Sequence, residues 1–388
     1  MNISQNQHFD FIFAGAGLSA LMTVYKMVLS EQFSNKTILL LDENSKKNND
    51  RTWCFWTKED TLWKTIISKK WDSALFADEN FERDLDLKPY QYDQIRGLDF
   101  YNFVFETLSK QKNITFINEK VTHINELDTH VFVASETQTF TCNQVINSIY
   151  NKAEVENQQK YTVLQQHFVG WFIKSEQAIF APEQATFMDF SVAQKGNTRF
   201  MYVLPTSETE ALVEYTLFSK SLLEQNEYES EIEKYIQKLG IENYTITDKE
   251  QGSIPMTCYP FWKKNTKRVL NIGTAGGWTK ASTGYTFKNS DKKSTELVCY
   301  LQTKNDFTTF HKRTKFWFYD LLLLDILDRH NQLGSTIFAS LFKKGNPTLI
   351  FKFLDEETSL LEDLQVILKC PKMIFIKALF RVVFQLKK

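Results

Sequence analysis

Two glycine-rich segments and one acid in this 388-residue chain have the residue types and spacing to hold a phosphorylated cofactor. Gly15-Ala16-Gly17-Leu18-Ser19-Ala20 follows an apolar run and opens a stretch of helical periodicity, the G-x-G-x-x-G/A form of a dinucleotide turn. Gly15 permits the tight turn, Gly17 lets the backbone approach a pyrophosphate, and Ala20 is small enough for close helix–strand packing. A helix opening at Leu18 offers free N–H groups and a positive dipole end to phosphates. Asp42 lies 25 positions after Gly17, where a second apolar run ends and an acid can accept hydrogen bonds from a ribose. Glu43 could do the same, and Asp42 is preferred. The second segment, Gly273-Thr274-Ala275-Gly276-Gly277, comes directly after the apolar Arg268–Ile272 and is followed by Ser282-Thr283-Gly284-Tyr285. It presents backbone amides again, in an order that suits the pyrophosphate or the isoalloxazine edge of a flavin. Taken together, the two segments point to FAD rather than NAD as the resident cofactor.

These residues need elements to position them. Phe9–Ala14 reads as a short buried parallel strand, Leu18–Leu29 as a helix and Thr37–Leu41 as a second apolar strand. Gly97–Lys110 reads as a helix, Asn113–Ile117 and Val121–Ile124 as strands, and His130–Ala134 with Thr137–Thr141 as a hairpin. Gln144–Ile149 can return to the first sheet. From Tyr161 to Phe218 strand-like runs follow one another without crossover helices, which predicts a second, antiparallel or mixed sheet. Glu229–Leu239 reads as a helix, another helix is expected from Gly284, and residues 301–388 read as almost wholly helical. The expected fold class is therefore α/β: a Rossmann-like cofactor domain, a mixed β-sheet substrate domain and a helical C-terminal region. Residues 1–70, 97–155 and 260–300 are assigned to the first, 71–96 and 156–259 to the second, and 301–388 to the third.

Bulk properties exclude some classes. The formal charge is −1, so there is no global pull toward nucleic acid. The five cysteines are scattered and lack metal-ligand spacing, which fits a reducing cytoplasmic compartment and no metal site. The apolar run Phe9–Leu21 has no basic region before it and carries Gly15 and Gly17, unlike a signal peptide. No apolar run is long enough to span a bilayer. Phe alone contributes 33 residues, enough to line a long apolar cavity or to build a large core.

Seven segments, in order, resemble the lycopene β-cyclase family, the FAD-containing bacterial and plant type. They are Phe13–Leu18, Arg51–Trp56, Phe187–Phe190, Phe200–Pro205, Leu212–Thr216, Gly252–Met256 and Gly273–Tyr285. The resemblance implies the fold of flavoprotein hydroxylases and geranylgeranyl reductases. It also implies conversion of the linear ends of lycopene into β-ionone rings, with reduced FAD, no net redox change, and NADPH or NADH serving only to reduce the flavin. The family's acidic motif often has two adjacent acids, whereas here Glu214 is followed by Tyr215. The turn before Thr283-Gly284-Tyr285 usually carries proline, whereas here it has Lys280-Ala281.

By the same resemblance Glu214 would be the acid that protonates the alkene. It lies in Ala211–Phe218, whose alternation puts Leu212, Glu214, Thr216 and Phe218 on one face. A carboxyl among apolar neighbours is pushed toward its neutral, proton-bearing form. Asp189 is a candidate accessory acid or base, or a strand-end cap. Trp53, Phe55, Trp56, Tyr202 and Trp278 are candidates for cation–π support of a carbocation. Two other readings remain: a flavin monooxygenase or prenyl reductase, and a flavin-free prenyl-lipid carrier of the same fold, against which the intact glycine motif and Asp42 speak.

After Pro371 the chain reads as a helix through Leu386, with Lys377, Arg381, Gln385 and Lys388 on one narrow face. Six basic residues and no acid lie between Lys369 and Lys388. A wide apolar arc with a basic edge suits a helix lying in the interface of an anionic membrane, here the inner face of the cytoplasmic membrane, and it also suits an ordinary packed helix that snorkels its lysines; the membrane reading is preferred.

Overall fold

The computed structural model describes residues 7–386. The chain opens with β1 (Gln7–Ala14), α1 (Leu18–Leu29) and β2 (Ile38–Leu41). It continues through β3 (Thr52–Thr57), β4 (Lys69–Trp71), β5 (Ser73–Ala77), β6 (Glu82–Asp86) and β7 (Gln91–Arg96). Then come α2 (Gly97–Leu108), β8 (Ile114–Ile117), β9 (Val121–Glu126), β10 (Val131–Ser135) and β11 (Thr139–Asn147). After α3 (Lys152–Asn157) follow β12 (Val163–Ser175), β13 (Gln184–Asp189), β14 (Thr198–Pro205) and β15 (Glu210–Ser219). Next are α4 (Gln225–Lys238), β16 (Tyr244–Thr257), β17 (Val269–Asn271) and α5 (Phe287–Leu301). The chain closes with α6 (Lys315–His330), α7 (Gly334–Lys344), α8 (Pro347–Leu354), α9 (Leu360–Ile367) and α10 (Lys372–Leu386).

The first sheet has the order β8-β2-β1-β11-β10-β9, with β17 also paired to β11. Its central strands are parallel, as the buried apolar runs of β1 and β2 require. The expected hairpin is β10–β11, and β11 is long enough to return beside β1. Pairing of β17 to β11 carries the second glycine segment, some 250 residues away in sequence, to the sheet edge where the first turn sits.

The second sheet runs β16-β12-β15-β14-β13-β5-β6 and is antiparallel except for β13–β5. One face is covered by α4 through Tyr228, Ile232, Tyr235 and Ile236. The other face meets α6, α7 and α8 in an aromatic-rich core that includes Phe187, Phe200, Phe218, Phe338, Phe342 and Phe351. A small sheet, β3-β7-β4, lies between the two larger ones. Its strands alternate: Trp53, Phe55 and Ile95 pack into the core under α1 and α5, while Cys54, Trp56 and Tyr92 pack into the core of the second sheet.

Two sequence expectations shift. The helix expected from Gly284 begins at Phe287, because Gly284 takes φ +72° in a turn closed by its N–H to the Lys280 carbonyl at 2.9 Å. The 14-residue β16 was not legible as a strand. Most of its side chains before Met256 are polar and at least partly exposed, so it lacks the apolar alternation that marks one.

Lys280, in the turn before Thr283, ties that turn to the C-terminal helices. Its ammonium lies 3.2 Å from Asp320 on α6 and 3.1 Å from Glu356 just after α8, with only 2% of the Lys280 side chain exposed. Ser282 donates to the same Asp320 at 2.6 Å. Removing one partner of a buried pair leaves an uncompensated charge and costs about 3–5 kcal/mol. Lys280→Met should lower stability in urea unfolding by that order, and adding Asp320→Asn should restore part of it. A single-variant loss below about 1 kcal/mol would show that the tie is dispensable.

Candidate functional site

Gly15 and Gly17 are glycines for different reasons. Gly15 has φ +89°, and a Cβ there would meet Ser148 Oγ at 2.3 Å, so the fold itself demands glycine. Gly17 has φ −76°, and a Cβ there would meet no protein atom within 4 Å. Nothing in the chain forbids a Cβ at Gly17, which is the expected signature of a backbone kept bare for a ligand. Gly17 is also the N-cap of α1, with no capping side chain and no acid in the first turn, so the leading amides are left for an anion. Ala16 and Leu18 flank it, and Ala20 is fully buried.

The second glycine segment comes to the same place. Gly273 has φ +58°, and a Cβ there would lie 3.1 Å from Ser19 Oγ of the first motif. Ser19 in turn bonds Ser290 of α5 at 2.7 Å. Gly277 takes φ +70° at the end of the short turn that begins at Gly273, and Gly276 sits over the Asn271 carbonyl, where no Cβ fits. Thr274 Oγ1 reaches Thr279 Oγ1 at 3.3 Å. Beyond it, three buried polar atoms have no protein partner: Thr283 Oγ1, Tyr285 Oη and Gln166 Oε1, the last pressed against Gly284. Buried polar atoms are ordinarily paired, so these orphans suit the polar edge of a bound cofactor.

Asp42 differs from its expected geometry. Its Oδ2 accepts from Ala16 N at 2.6 Å and pairs with Lys46 at 3.1 Å, while Oδ1 accepts from Asn44 N at 2.7 Å. It pins the glycine turn, and further acceptor capacity on its two oxygens is what remains for a ribose. Glu43 points outward to Lys120.

The acid site is a row across four adjacent strands. Strand register sets Glu250 (β16) beside Gly170 (β12), Gly170 beside Glu214 (β15), and Glu214 beside Tyr202 (β14). Gly170 is the gap that lets the two carboxyls meet. A Cβ on it would lie 3.3 Å from Glu250 Cγ, 3.4 Å from Glu214 Cβ and 2.8 Å from Leu212 Cδ1. Thr216 donates to Glu214 Oε1 at 2.5 Å, and Thr52 on β3 donates to Glu250 Oε2 at 2.6 Å.

Burial, and then the charge of Glu250, hold the Glu214 carboxyl well above the usual glutamate range. Glu250 is also raised by burial, but Thr52, nearby Arg96 and a hydrogen bond with Glu214 pull against that rise. Both side chains keep some accessible surface. Desolvation is therefore incomplete, and the upward direction rests equally on two carboxyls sharing one site. Burial and the two glutamates also push the Cys54 thiol up, keeping it neutral.

The structure separates the other candidates. Asp189 lies on the α4 face of the sheet, opposite Glu214, where its carboxylate accepts from Tyr235 Oη at 2.7 Å and Ser191 N at 2.8 Å. Trp53 and Phe55 turn away toward Phe287, and Trp278 packs near Phe310. Tyr202 is on the acid's row, and Trp56 stands edge-on to Tyr285 at 4.9 Å. Sequence reasoning missed Glu250 and Gly170. A lone glycine inside the apolar run Val169-Gly170-Trp171 was the available signal, since such a residue marks a close approach. A cavity of about 920 Å³ opens beside the second glycine segment, with Trp262, Trp278, Lys280 and Trp317 among its lining residues. Glu214 is not among its lining residues.

Comparison with known proteins agrees with this layout. The family model described as "Lycopene cyclase protein" matches residues 10–380. A lycopene beta-cyclase from Pantoea ananas is 25% identical over 289 residues, 72% of this chain and 71% of that one. Among solved structures, a geranylgeranyl bacteriochlorophyll reductase-like protein from Thermoplasma acidophilum superposes with TM-score 0.60 at 10% identity, covering 96% of each chain. A flavoprotein/dehydrogenase from Cytophaga hutchinsonii gives TM-score 0.62 at 10% identity, covering 90% of this chain and 93% of that one. The fold is the α/β flavoprotein fold of the geranylgeranyl reductase type.

The Gly17 geometry makes a separable prediction. Gly17→Val should change the thermal midpoint of cofactor-free protein only modestly, because a Cβ there meets no protein atom within 4 Å. The same variant should purify without flavin. Full flavin absorbance in the purified variant would place the cofactor elsewhere.

Proposed function

This chain belongs to the lycopene cyclase protein family, and from that membership we propose that it is a lycopene β-cyclase, a redox-neutral, FAD-dependent isomerase that closes the linear ends of lycopene into β-ionone rings. The observation that carries the reading is Glu214, a carboxyl kept protonated on the aromatic-rich face of the second sheet. An isolated alkene is a very weak base, and its protonation needs an acid that still holds a proton at neutral pH.

In this reading Glu214 gives its proton to a terminal double bond, the cation closes onto the neighbouring alkene, and loss of a ring proton completes the β-ring. Substrate and product, lycopene and then γ- and β-carotene, have the same mass. Glu214 lies in a wall of side chains, among them Tyr202 and Tyr285, whose rings can face a cation. Gly15–Ala20 and Gly273–Gly277 would hold the dinucleotide, Asp42 its ribose, and Thr283, Gly284 and Gln166 the ring edge. Reduced FAD, when bound, supplies anionic charge beside the developing cation, with NADPH or NADH as the source of electrons. Gln166 and Gly170 lie four residues apart on the same face of β12, roughly 13 Å, so the orphaned polar edge and the acid share one wall. Residues 1–70, 97–155 and 260–300 form the cofactor domain of this proposal, 71–96 and 156–259 the substrate domain. With Asp189 on the opposite face, the acid role rests on Glu214 alone. A flavin monooxygenase or reductase on the same fold would change the product mass.

The same reading includes a membrane surface, because a linear carotenoid is delivered from lipid. No described helix is long and apolar enough to cross a bilayer. α10 packs on α6 through Ala378 and Val382, and Arg381 pairs with Asp325 at 2.5 Å, so Arg381 is turned to the protein and not to the basic edge. Lys388 lies outside the described residues, as does the side chain of Gln385. What α10 leaves exposed is Met373, Ile376, Phe380 and Phe384, beside Lys372 and Lys377. α9 adds Leu360, Leu361 and Leu364, 54–74% exposed, with Leu368 just after it. Apolar exposure with basic neighbours is the pattern of an interfacial helix.

Two measurements test these statements. Glu214→Gln keeps size and polarity but removes the transferable proton. With prereduced flavin it should slow lycopene conversion by at least about 10²–10⁴-fold while keeping FAD. Near wild-type turnover would remove Glu214 as donor. Phe380→Glu with Phe384→Glu, both at exposed positions and so compatible with folding, should weaken sedimentation with anionic vesicles by roughly tenfold or more. Unchanged partitioning would show that these helices do not meet lipid.

A further inference from the structure

We propose that Glu250 is a positioning residue for the acid: across the gap left by Gly170, its carboxylate accepts the Glu214 hydrogen bond and holds the transferable proton on Glu214. The proposal rests on Glu214 being the proton donor.

Three observations build it. First, the register Glu250–Gly170–Glu214 sets the carboxyls on either side of a strand that has no side chain at that point. Second, the two acids are held unequally. Glu250 has the Thr52 hydroxyl at 2.6 Å and lies close to the Arg96 guanidinium, which pairs with Asp248 at 2.9 Å. Glu214 has only the Thr216 hydroxyl. The better-supported anion is Glu250, so the shared proton belongs on Glu214. Third, Thr52 and Arg96 come from β3 and β7, directly paired in register, so the small sheet exists at this point to grip β16.

The titratable and charged groups facing the pair are Cys54 on β3, Tyr92 and Arg96 on β7, Tyr202 on β14, Asp248 on β16, and Tyr285 beyond Tyr202. Cys54 and the tyrosines are held neutral by burial, so Arg96 and Asp248 are the remaining charges, and they pair with each other. The field on Glu214 is therefore set mainly by Glu250.

The direction follows. Glu214 works only while protonated, so conversion falls as pH rises through its pKa. Taking away the facing carboxylate removes the repulsion that holds that pKa up, and the alkaline limb moves to lower pH. The experiment is the pH profile of kcat for lycopene conversion by FAD-reduced enzyme. Glu250→Gln should displace the alkaline limb downward by about 1 unit or more, the size expected for directly coupled acids. Glu250→Asp should restore part of the displacement, and Gly170→Ala, which wedges the pair apart, should displace it in the same direction. An unmoved limb, or a loss of rate equal at every pH, overturns the proposal. Should the wild-type protein convert no lycopene, the function proposed above fails, and the pair is still read directly. The infrared band of the protonated Glu214 carboxyl, identified by difference from Glu214→Gln, should vanish at lower pH in Glu250→Gln. A band that titrates alike in both backgrounds overturns it.

Discussion

Two carboxyls that share a low-polarity site cannot both ionise cheaply, and the middle of this molecule is arranged around that constraint. The glutamates come from strands that are not neighbours, β15 and β16, with β12 between them. Any side chain on β12 at that register would separate them, and Gly170 is what stands there. A glycine inside a strand weakens it, and the long pairings of β12 with β15 and β16 on either side compensate. In the proposed reading the result is a proton kept on Glu214 by the facing carboxylate, which Thr52 and Arg96 support.

The surrounding layers serve that site from three directions. The small β3-β7-β4 sheet contributes Thr52 and Arg96 to one carboxyl, and its alternation sends Trp56 and Tyr92 to the aromatic side and Trp53 and Phe55 to the cofactor side. The first sheet and α5 bring together two glycine turns whose contact, Ser19 against Gly273, spans about two thirds of the chain. The C-terminal helices close the aromatic face, and the buried Lys280–Asp320–Glu356 cluster fastens the second glycine turn to them. A charge at that turn makes it the anchor of a long-range tie.

The same helices leave an apolar outer surface. α8 is half consumed by the core through Ile350 and Phe351, whereas α9 and α10 keep leucines and phenylalanines exposed. In the proposed function an enzyme acting on a hydrocarbon faces opposing demands: its inner wall must be dry and its outer rim must tolerate lipid. Here the division falls between consecutive helices rather than within one.

Local order determined much of this protein before any tertiary contact. The first strand–turn–helix is legible because buried parallel strands are continuous apolar runs and because glycine spacing encodes the turn, and α1 spans Leu18–Leu29 as its periodicity predicts. The alternation of Ala211–Phe218 likewise assigns Glu214 to the face of Leu212 and Phe218. Tertiary structure decided the rest. β16 is a strand only because β12 pairs with it, since its own residues are too polar to announce one. Asp189 and Glu214 look equivalent as acids in strands, yet a register irregularity between Thr186 and Asp189 hands Asp189 to Tyr235 on the other face. Glu250 has no sequence neighbour that marks it; it acquires chemistry only when an intervening glycine lets a second carboxylate, 36 positions away, share its surroundings. Hydrogen bonds along a strand are local, but the field that sets a proton's position is summed over whatever the fold brings within a few ångströms.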